Sequence, residues 1–183
     1  MADFSTGKGL QTYTVQEAQN AHLGKVIRIT PTISATAYDA GDVLFLTTEI
    51  ENAVAVDGGT SKLISISTVH QHDAVDDIAL VFMQVSKDLI GALSPGSTGG
   101  PAISDANAEA AKILGTVLLD GSENNLDLGV VGVFTYGSTL TALPMLLQAE
   151  STSRSVYVGG IAVDAQDYDA VDDLDLVFHI EYK

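Results

Sequence analysis

The sequence predicts an all-β protein, a β-sandwich of jelly-roll type with one short helix near residues 104–114. Hydrophobic residues make up 46% of the 183 residues, but aromatic residues make up only 6% and Trp is absent. The core must therefore be built mainly from Val, Ile, Leu and Ala. Seventeen Gly, together with many Ser, Thr and Asp, indicate numerous turns. Short stretches in which apolar and polar residues alternate recur along the chain, as in half-buried strands.

The strands follow from that alternation. Ile27 and Ile29 alternate with Arg28 and Thr30, and the extended run continues to residue 33. A turn at residues 38–42, in which Gly41 is free to take a positive φ, leads into the next strand. Strands are predicted at residues 25–33, 43–50, 62–69, 78–82, 116–119, 128–136, 143–148, 155–163 and 174–182. We expect one domain over residues 25–183, preceded at residues 1–24 by an arm with a weak strand pattern at residues 11–15.

The helix is predicted from its start and composition. Ser104 is a good N-cap, and the negative charge of Asp105 suits a helix N-terminus. An alanine-rich stretch follows as far as Leu114, and Gly115 is expected to end the helix.

One segment is repeated. Asp-Ala-Val-Asp-Asp-Ile-Ala-Leu-Val-Phe at residues 73–82 returns as Asp-Ala-Val-Asp-Asp-Leu-Asp-Leu-Val-Phe at residues 169–178. We expect Asp77 and Asp173 to point away from the core, and alternate apolar side chains to face it. These apolar side chains are Ile78, Leu80 and Phe82 in the first copy and Leu174, Leu176 and Phe178 in the second. The copies are either equivalent acidic loops that bind a ligand or strands in equivalent places of the sandwich, and we favour the second interpretation.

The charge excludes several classes of function. The chain has 24 Asp and Glu against 8 Lys and Arg, a net charge of −16, so it lacks the cations that bind nucleic acid or an anionic membrane. No segment has the roughly 20 apolar residues of a membrane helix, and residues 1–10 do not resemble a signal peptide. Without Cys, disulfides and zinc thiolates are excluded. The acidity favours solubility, with a basic partner or bound divalent cations as the alternative.

Metal sites are possible but weakly indicated. His70 and His72 are two residues apart and could share a strand face, with a third ligand from Asp73, Asp76 or His179. The acidic loops at residues 73–77, 120–127 and 164–173 offer oxygen ligands for calcium, but none has EF-hand spacing. A solvated acidic rim is the preferred interpretation, and we predict no metal or cofactor.

Catalysis is also weakly indicated. Asp76 and Asp77 are adjacent and would point to opposite faces of a strand, so they do not form a pair. Asp173 and Asp175 could share a face, but the first copy has Ala79 in place of Asp175. The glycine-rich loop at residues 96–100 is not followed by Lys, as a phosphate loop would be. We therefore predict no catalytic residue and no enzyme activity.

Several motifs resemble small virion proteins of tailed bacteriophages. Ile-Thr-Pro-Thr-Ile-Ser at residues 29–34, followed by Tyr-Asp-Ala-Gly-Asp at residues 38–42, is similar to an opening common in these proteins. A strand and acidic turn at residues 64–82, an Ile-Ser-Asp-Ala helix at residues 103–115 and a final strand region at residues 157–178 follow in the same order. The resemblance covers residues 25–182, and the polar N-terminal segment is longer than in the family.

The resemblance implies a non-enzymatic capsid decoration, or cement, protein on the outer surface of the head. Its partners would be the major capsid protein and itself, as a homotrimer at local three-fold axes, and residues 1–15 and the first strand would attach it. It would bind neither nucleic acid nor membrane. The alternatives are a tail, baseplate or fibre component and a glycan-binding module on the virion surface. A glycan site would usually present aromatic platforms, and the chain has no Trp.

Overall fold

The alternating segments form ten strands in a computed structural model, which describes residues 24–71, 76–88, 104–121, 125–127, 131–136 and 142–182. The strands are β1 (Gly24–Ile29), β2 (Val43–Ile50), β3 (Thr60–His70), β4 (Ile78–Met83), β5 (Ile113–Leu119), β6 (Asn125–Asp127), β7 (Gly132–Tyr136), β8 (Met145–Gln148), β9 (Val156–Ala162) and β10 (Leu174–Tyr182). One helix, α1 (Asp105–Ala111), lies between β4 and β5. The predicted all-β class with one short helix is confirmed.

The strands form two antiparallel sheets that pack as a sandwich. The first sheet has the order β1-β10-β3-β7-β6, with β8 also paired to β3, and the second has the order β2-β9-β4-β5. Strands at similar distances from the two chain ends are neighbours: β1 pairs with β10, β2 with β9, β3 with β7 and β8, and β4 with β5. This is the pairing of one long antiparallel hairpin wrapped into two sheets, which is the jelly-roll arrangement.

The two copies of the repeated segment meet in the core. The first copy supplies β4, which lies between β9 and β5, and the second supplies β10, which lies between β1 and β3 in the other sheet. All six predicted core side chains are fully buried. The Phe82 and Phe178 rings contact edge to face, with centroids 5.9 Å apart. The prediction that the two sets of apolar side chains fill one core is confirmed.

Several predicted boundaries were wrong. The helix ends at Ala111 instead of reaching Leu114, because Lys112 adopts a left-handed conformation (φ 50°) and Ile113 begins a strand paired with Met83. The first strand ends at Ile29, since Pro31 has no N–H to extend the ladder. The predicted strand at residues 128–136 is shorter, with β7 beginning at Gly132 and a separate short β6 before it.

Some predictions lie outside the described residues. These are the arm at residues 1–23 with its weak strand at residues 11–15, His72 and Asp73, and the glycine-rich loop at residues 96–100.

Truncating either ring of the central pair should destabilise the fold strongly. For Phe82→Ala or Phe178→Ala we expect a loss of about 3–5 kcal/mol in the free energy of unfolding, because each leaves a cavity between the sheets. Urea denaturation measures this loss. The double variant should lose about 0.5–1.5 kcal/mol less than the sum of the single losses, since the ring contact is counted twice in that sum.

The control is Val26→Ala, at a side chain that is 61% exposed on β1. It should change the free energy of unfolding by no more than about 0.5 kcal/mol. A loss below about 1 kcal/mol for both Phe variants would contradict the central role given to this contact.

Candidate functional site

Polar side chains that the sequence analysis weighed as candidate site residues lie together at one end of the sandwich. At this end β2, β4 and β10 begin and β3, β5 and β9 finish, as shown by the pairs Val43–Ile161, Ile78–Ala162, Ile78–Leu119 and Leu174–His70. We call this the acidic end. Its described acidic residues are Asp39, Asp42, Asp76, Asp77, Asp120, Asp164, Asp167, Asp169, Asp172 and Asp173.

A histidine and a carboxylate are buried together beneath the acidic end. His70, the last residue of β3, is 1% exposed and Asp76 is 4% exposed, and Nδ1 of His70 lies 3.3 Å from Oδ2 of Asp76. On its other side, Nε2 of His70 is 3.2 Å from the Thr68 hydroxyl. The Tyr168 ring stacks on the imidazole with its centroid 6.5 Å away. Both ring nitrogens of His70 therefore face polar partners within the protein.

Gln166 connects the loops around this pair. Its side-chain N–H donates to the backbone carbonyl of Asp77 and to Oδ1 of Asp164, the latter at 3.1 Å, and its carbonyl accepts from the Tyr168 hydroxyl at 2.9 Å. Its backbone N–H and C=O both bond to Tyr38, at 3.1 and 2.7 Å. One buried residue, through its side-chain amide and its backbone, thus ties together the segments that precede β2, β4 and β10.

The segment after β5 is hydrogen-bonded to the turn that precedes β4. The Gly121 N–H donates to Oδ1 of Asp77 at 2.8 Å. A Cβ atom on residue 121 would lie 2.7 Å from the backbone oxygen and 2.8 Å from the backbone nitrogen of Asp76. Only glycine allows the two backbone segments to approach this closely.

Two tyrosines, Tyr38 and Tyr168, form the inner side of this polar cluster beneath the acidic end. The rings of Tyr38 and Tyr168 pack edge to face, with centroids 6.0 Å apart. The Tyr38 hydroxyl donates to the Leu44 carbonyl at 3.1 Å and accepts from the Ser34 N–H. Burial raises the pKa of both phenols, and the neighbouring Asp76 carboxylate adds to the rise in the pKa of Tyr168. Both hydroxyls are therefore held as neutral hydrogen-bonding groups.

The remaining predicted candidates do not join this cluster. His179 lies on β10 five residues beyond Leu174, the partner of His70, which is roughly 17 Å along the strand. Asp175 binds Arg28 at 3.0 Å and accepts from the Thr30 hydroxyl. Asp173 is buried and accepts from the Ala170 N–H of its own turn. In the part of the chain that the structure describes, no three His, Asp or Glu are grouped to hold a metal ion.

Sequence reasoning missed the residues that organise the cluster. Thr68 and Gln166 carry no local pattern, and Tyr38 and Tyr168 are not among the site candidates that the sequence predicts. A pattern was present in the sequence, because Tyr-Asp-Ala occurs at residues 38–40 and again at residues 168–170. Each tyrosine precedes an Asp-rich turn that leads into a strand, and both tyrosines lie at the same place in the fold.

The polar cluster lies apart from the two described surface grooves. A groove of about 560 Å³ runs between the edge strands β1 and β2 and is lined by residues 25–29, Thr48, Glu49, Glu51 and Asn52. Another of about 460 Å³ is lined by residues that include Gln84, Lys112 and Gln148. Neither is lined by the buried polar residues of the acidic end, and none of the described lining residues is aromatic. The described helix is too short and too polar to cross a membrane.

Comparison with known proteins does not assign the chain to a family. No protein-family model and no curated protein matches the chain. Among solved structures, it resembles a chain from the X-ray crystal structure of tomato aspermy virus. That chain is 8% identical, the match covers 94% of this chain and 93% of that one, and the TM-score is 0.37. A similarity of this size does not identify a shared function.

Removing the Tyr168 hydroxyl should alter the dependence of stability on pH. Because the pKa of Tyr168 is raised in the folded chain, the unfolded chain loses its phenol proton first as the pH rises past about 10. Below about pH 10 the phenol is neutral in both the folded and the unfolded chain, so the contribution of Tyr168 to the free energy of unfolding is fully present. Above it, this residue should lower the free energy of unfolding by about 1.4 kcal/mol per pH unit.

At pH 7, Tyr168→Phe should be less stable than the wild type by about 1–3 kcal/mol, because the Gln166 carbonyl loses its hydrogen-bond donor. Above pH 10 its stability should fall less steeply. Urea denaturation between pH 7 and pH 11.5 measures both, with Val26→Ala as the control that keeps the wild-type slope. Identical slopes in the wild type and in Tyr168→Phe would contradict the buried position of this phenol.

Proposed function

We propose that this chain is a non-enzymatic structural protein of a tailed-bacteriophage virion, which decorates the outer capsid surface and cements it through contacts with the major capsid protein. The motif order along residues 25–182 suggests the virion, and the jelly-roll sandwich is a fold used in viral capsids among other proteins.

The observation that carries the proposal is how the acidic end uses its polar groups. Polar side chains of the acidic end, such as those of Asp77 and Gln166, bond to loop backbone of the chain itself. Asp173 and Asp42 each accept a backbone N–H in their own turns. Such bonds hold loops in place, whereas a catalytic group must reach a substrate. The arrangement favours a scaffold.

The distribution of charge suggests how the protein is oriented. The described basic residues other than Arg28 lie at the opposite end from the acidic end, and they are Lys25, Lys62, Lys87, Lys112 and Arg154. Ion pairs there join Lys62 to Glu181, Lys112 to Glu150 and Arg154 to Asp57. We call this the balanced end, because here, unlike at the acidic end, basic residues accompany the acidic ones. It suits contact with a protein lattice, while the acidic end suits exposure to solvent.

In this proposal the balanced end and β1 face the capsid, and each copy bridges neighbouring capsid subunits. The added interface would resist the pressure of packaged DNA. A homotrimer at local three-fold axes matches the symmetry of the lattice.

The test is reconstitution on virions. Virions of the phage that encodes this chain, prepared without it, should bind the purified protein on the head, and cryo-EM should show the added density. Heads with the protein restored should withstand heating better than heads without it. Density at tail or baseplate sites would replace the capsid role with the tail alternative, saturable binding to a glycan array would favour the glycan-binding module, and absence from purified virions would refute a virion role.

A pair of charge variants tests the orientation separately. Lys25→Glu, at the balanced end, should weaken head binding several-fold, because it places a carboxylate where the protein meets the lattice. Asp167→Lys, at an exposed position of the acidic end, is the matched control and should bind like the wild type. The opposite result would reverse the orientation and leave the decoration role intact.

A further inference from the structure

The sequence contains two Asp–Gly steps, Asp57–Gly58 and Asp120–Gly121. In such a step the glycine nitrogen can attack the side-chain carboxyl carbon of the aspartate, because glycine has no Cβ to hinder the approach. The new N–Cγ bond closes a succinimide ring, and the carboxyl hydroxyl leaves with the amide hydrogen as water. When water then opens the ring at the original peptide bond, the product is isoaspartate, whose backbone runs through the side chain. Each step is therefore a possible modification site.

The Asp120–Gly121 step is held shut by the fold. The Gly121 N–H donates to Oδ1 of Asp77 at 2.8 Å, and the residue is buried. The backbone of Asp76 lies against it, since a Cβ on residue 121 would be 2.7 Å from the Asp76 carbonyl oxygen. The nitrogen can turn toward the Asp120 carboxyl group only if a charge-assisted hydrogen bond breaks and two packed segments separate.

The Asp57–Gly58 step lies in the turn between β2 and β3, at the balanced end, and is restrained less. The Asp57 side chain is 65% exposed, and its ion pair with Arg154, 3.6 Å away, joins two exposed groups and contributes little. The Gly58 N–H donates to the backbone carbonyl of Ser153 at 2.9 Å. A backbone hydrogen bond in an exposed turn opens at a small cost in free energy compared with one in a packed interior. The nitrogen at this step is therefore released far more often.

The turn also requires the glycine that makes the step reactive. Gly58 has a φ of 68°, a left-handed conformation that residues with a Cβ rarely adopt. A Cβ at this position would lie 3.1 Å from the Cα atom of Ser151. The fold therefore keeps an Asp–Gly step in an exposed place.

We propose that Asp57 is a site of spontaneous isoaspartate formation in the folded protein, and that the hydrogen bond to Asp77 protects Asp120 from the same reaction. The reaction consumes one water and releases one, so it needs no enzyme and no other reactant. It adds one carbon to the backbone of the turn and moves the carboxylate relative to Arg154. The proposal is independent of the virion role.

Ageing of the purified chain tests the proposal. The protein is kept for weeks in neutral buffer, and isoaspartate is then located by peptide mass spectrometry with electron-transfer fragmentation. Synthetic peptides of residues 54–60 and 117–123, which carry the aspartate at the same place, give the rates without the fold. The two peptides should convert at similar rates. In the protein, conversion at residue 57 should exceed conversion at residue 120 at least several-fold.

Three variants separate the causes. Asp57→Glu keeps the charge but would have to close a larger ring, so it should abolish the modification at residue 57. Asp77→Ala removes the acceptor of the Gly121 N–H and should raise isoaspartate at residue 120 several-fold. Asp77→Asn is its matched control, because an amide oxygen can still accept this hydrogen bond, and it should raise isoaspartate less. Circular dichroism shows whether each variant is folded.

Each result bears on the proposal. Isoaspartate at residue 57 well above that at residue 120 in the wild type supports it, whether or not Asp77→Ala folds. Equal amounts at the two residues, or none at residue 57 once both peptides have converted, would overturn it. A folded Asp77→Ala variant with no increase at residue 120 would overturn the protective role of Asp77.

Discussion

The burial of alternate side chains from β4 and β10 between the two sheets is the constraint on which the rest of the structure depends. Both strands lie inside their sheets, and their Phe82 and Phe178 rings meet across the core. A shift of either strand by one residue would exchange its core face for its outer face, which in β10 would bring Asp175 inward. The register is therefore fixed, and with it the height at which each neighbouring strand ends.

The acidic end follows from that register. Because the turns before β2, β4 and β10 converge over the end of the core, their polar side chains are partly shut off from water and must find partners within the chain. The two copies of the repeat solve this differently: Asp77 reaches across to Gly121, whereas Asp173 bonds to Ala170 in its own turn. Losing one partner of the buried His70–Asp76 pair would be costly, because the other polar group would stay buried without its neighbour.

The strands were predictable because their information is local. Alternation at residues 27–30 and 174–182 marks β1 and β10 without reference to the rest of the chain. The end of the helix was not, because Ile113 and Leu114 suit a helix or a strand, and pairing with β4 decides between them. The polar cluster was less predictable still. Gln166 bonds to Asp77, 89 residues away, and nothing near Gln166 in the sequence indicates that contact.

The net charge of the chain and the edges of its sheets are related by distance. Repulsion between molecules of charge −16 acts over the Debye length, about 8 Å at physiological ionic strength, whereas strand pairing acts only at contact. An apolar edge would promote uncontrolled aggregation in a neutral protein. In this chain the repulsion between identical copies opposes such pairing. The net charge therefore protects the sheet edges against pairing with other copies, in addition to the Lys25 and Arg28 side chains that β1 carries along its own edge.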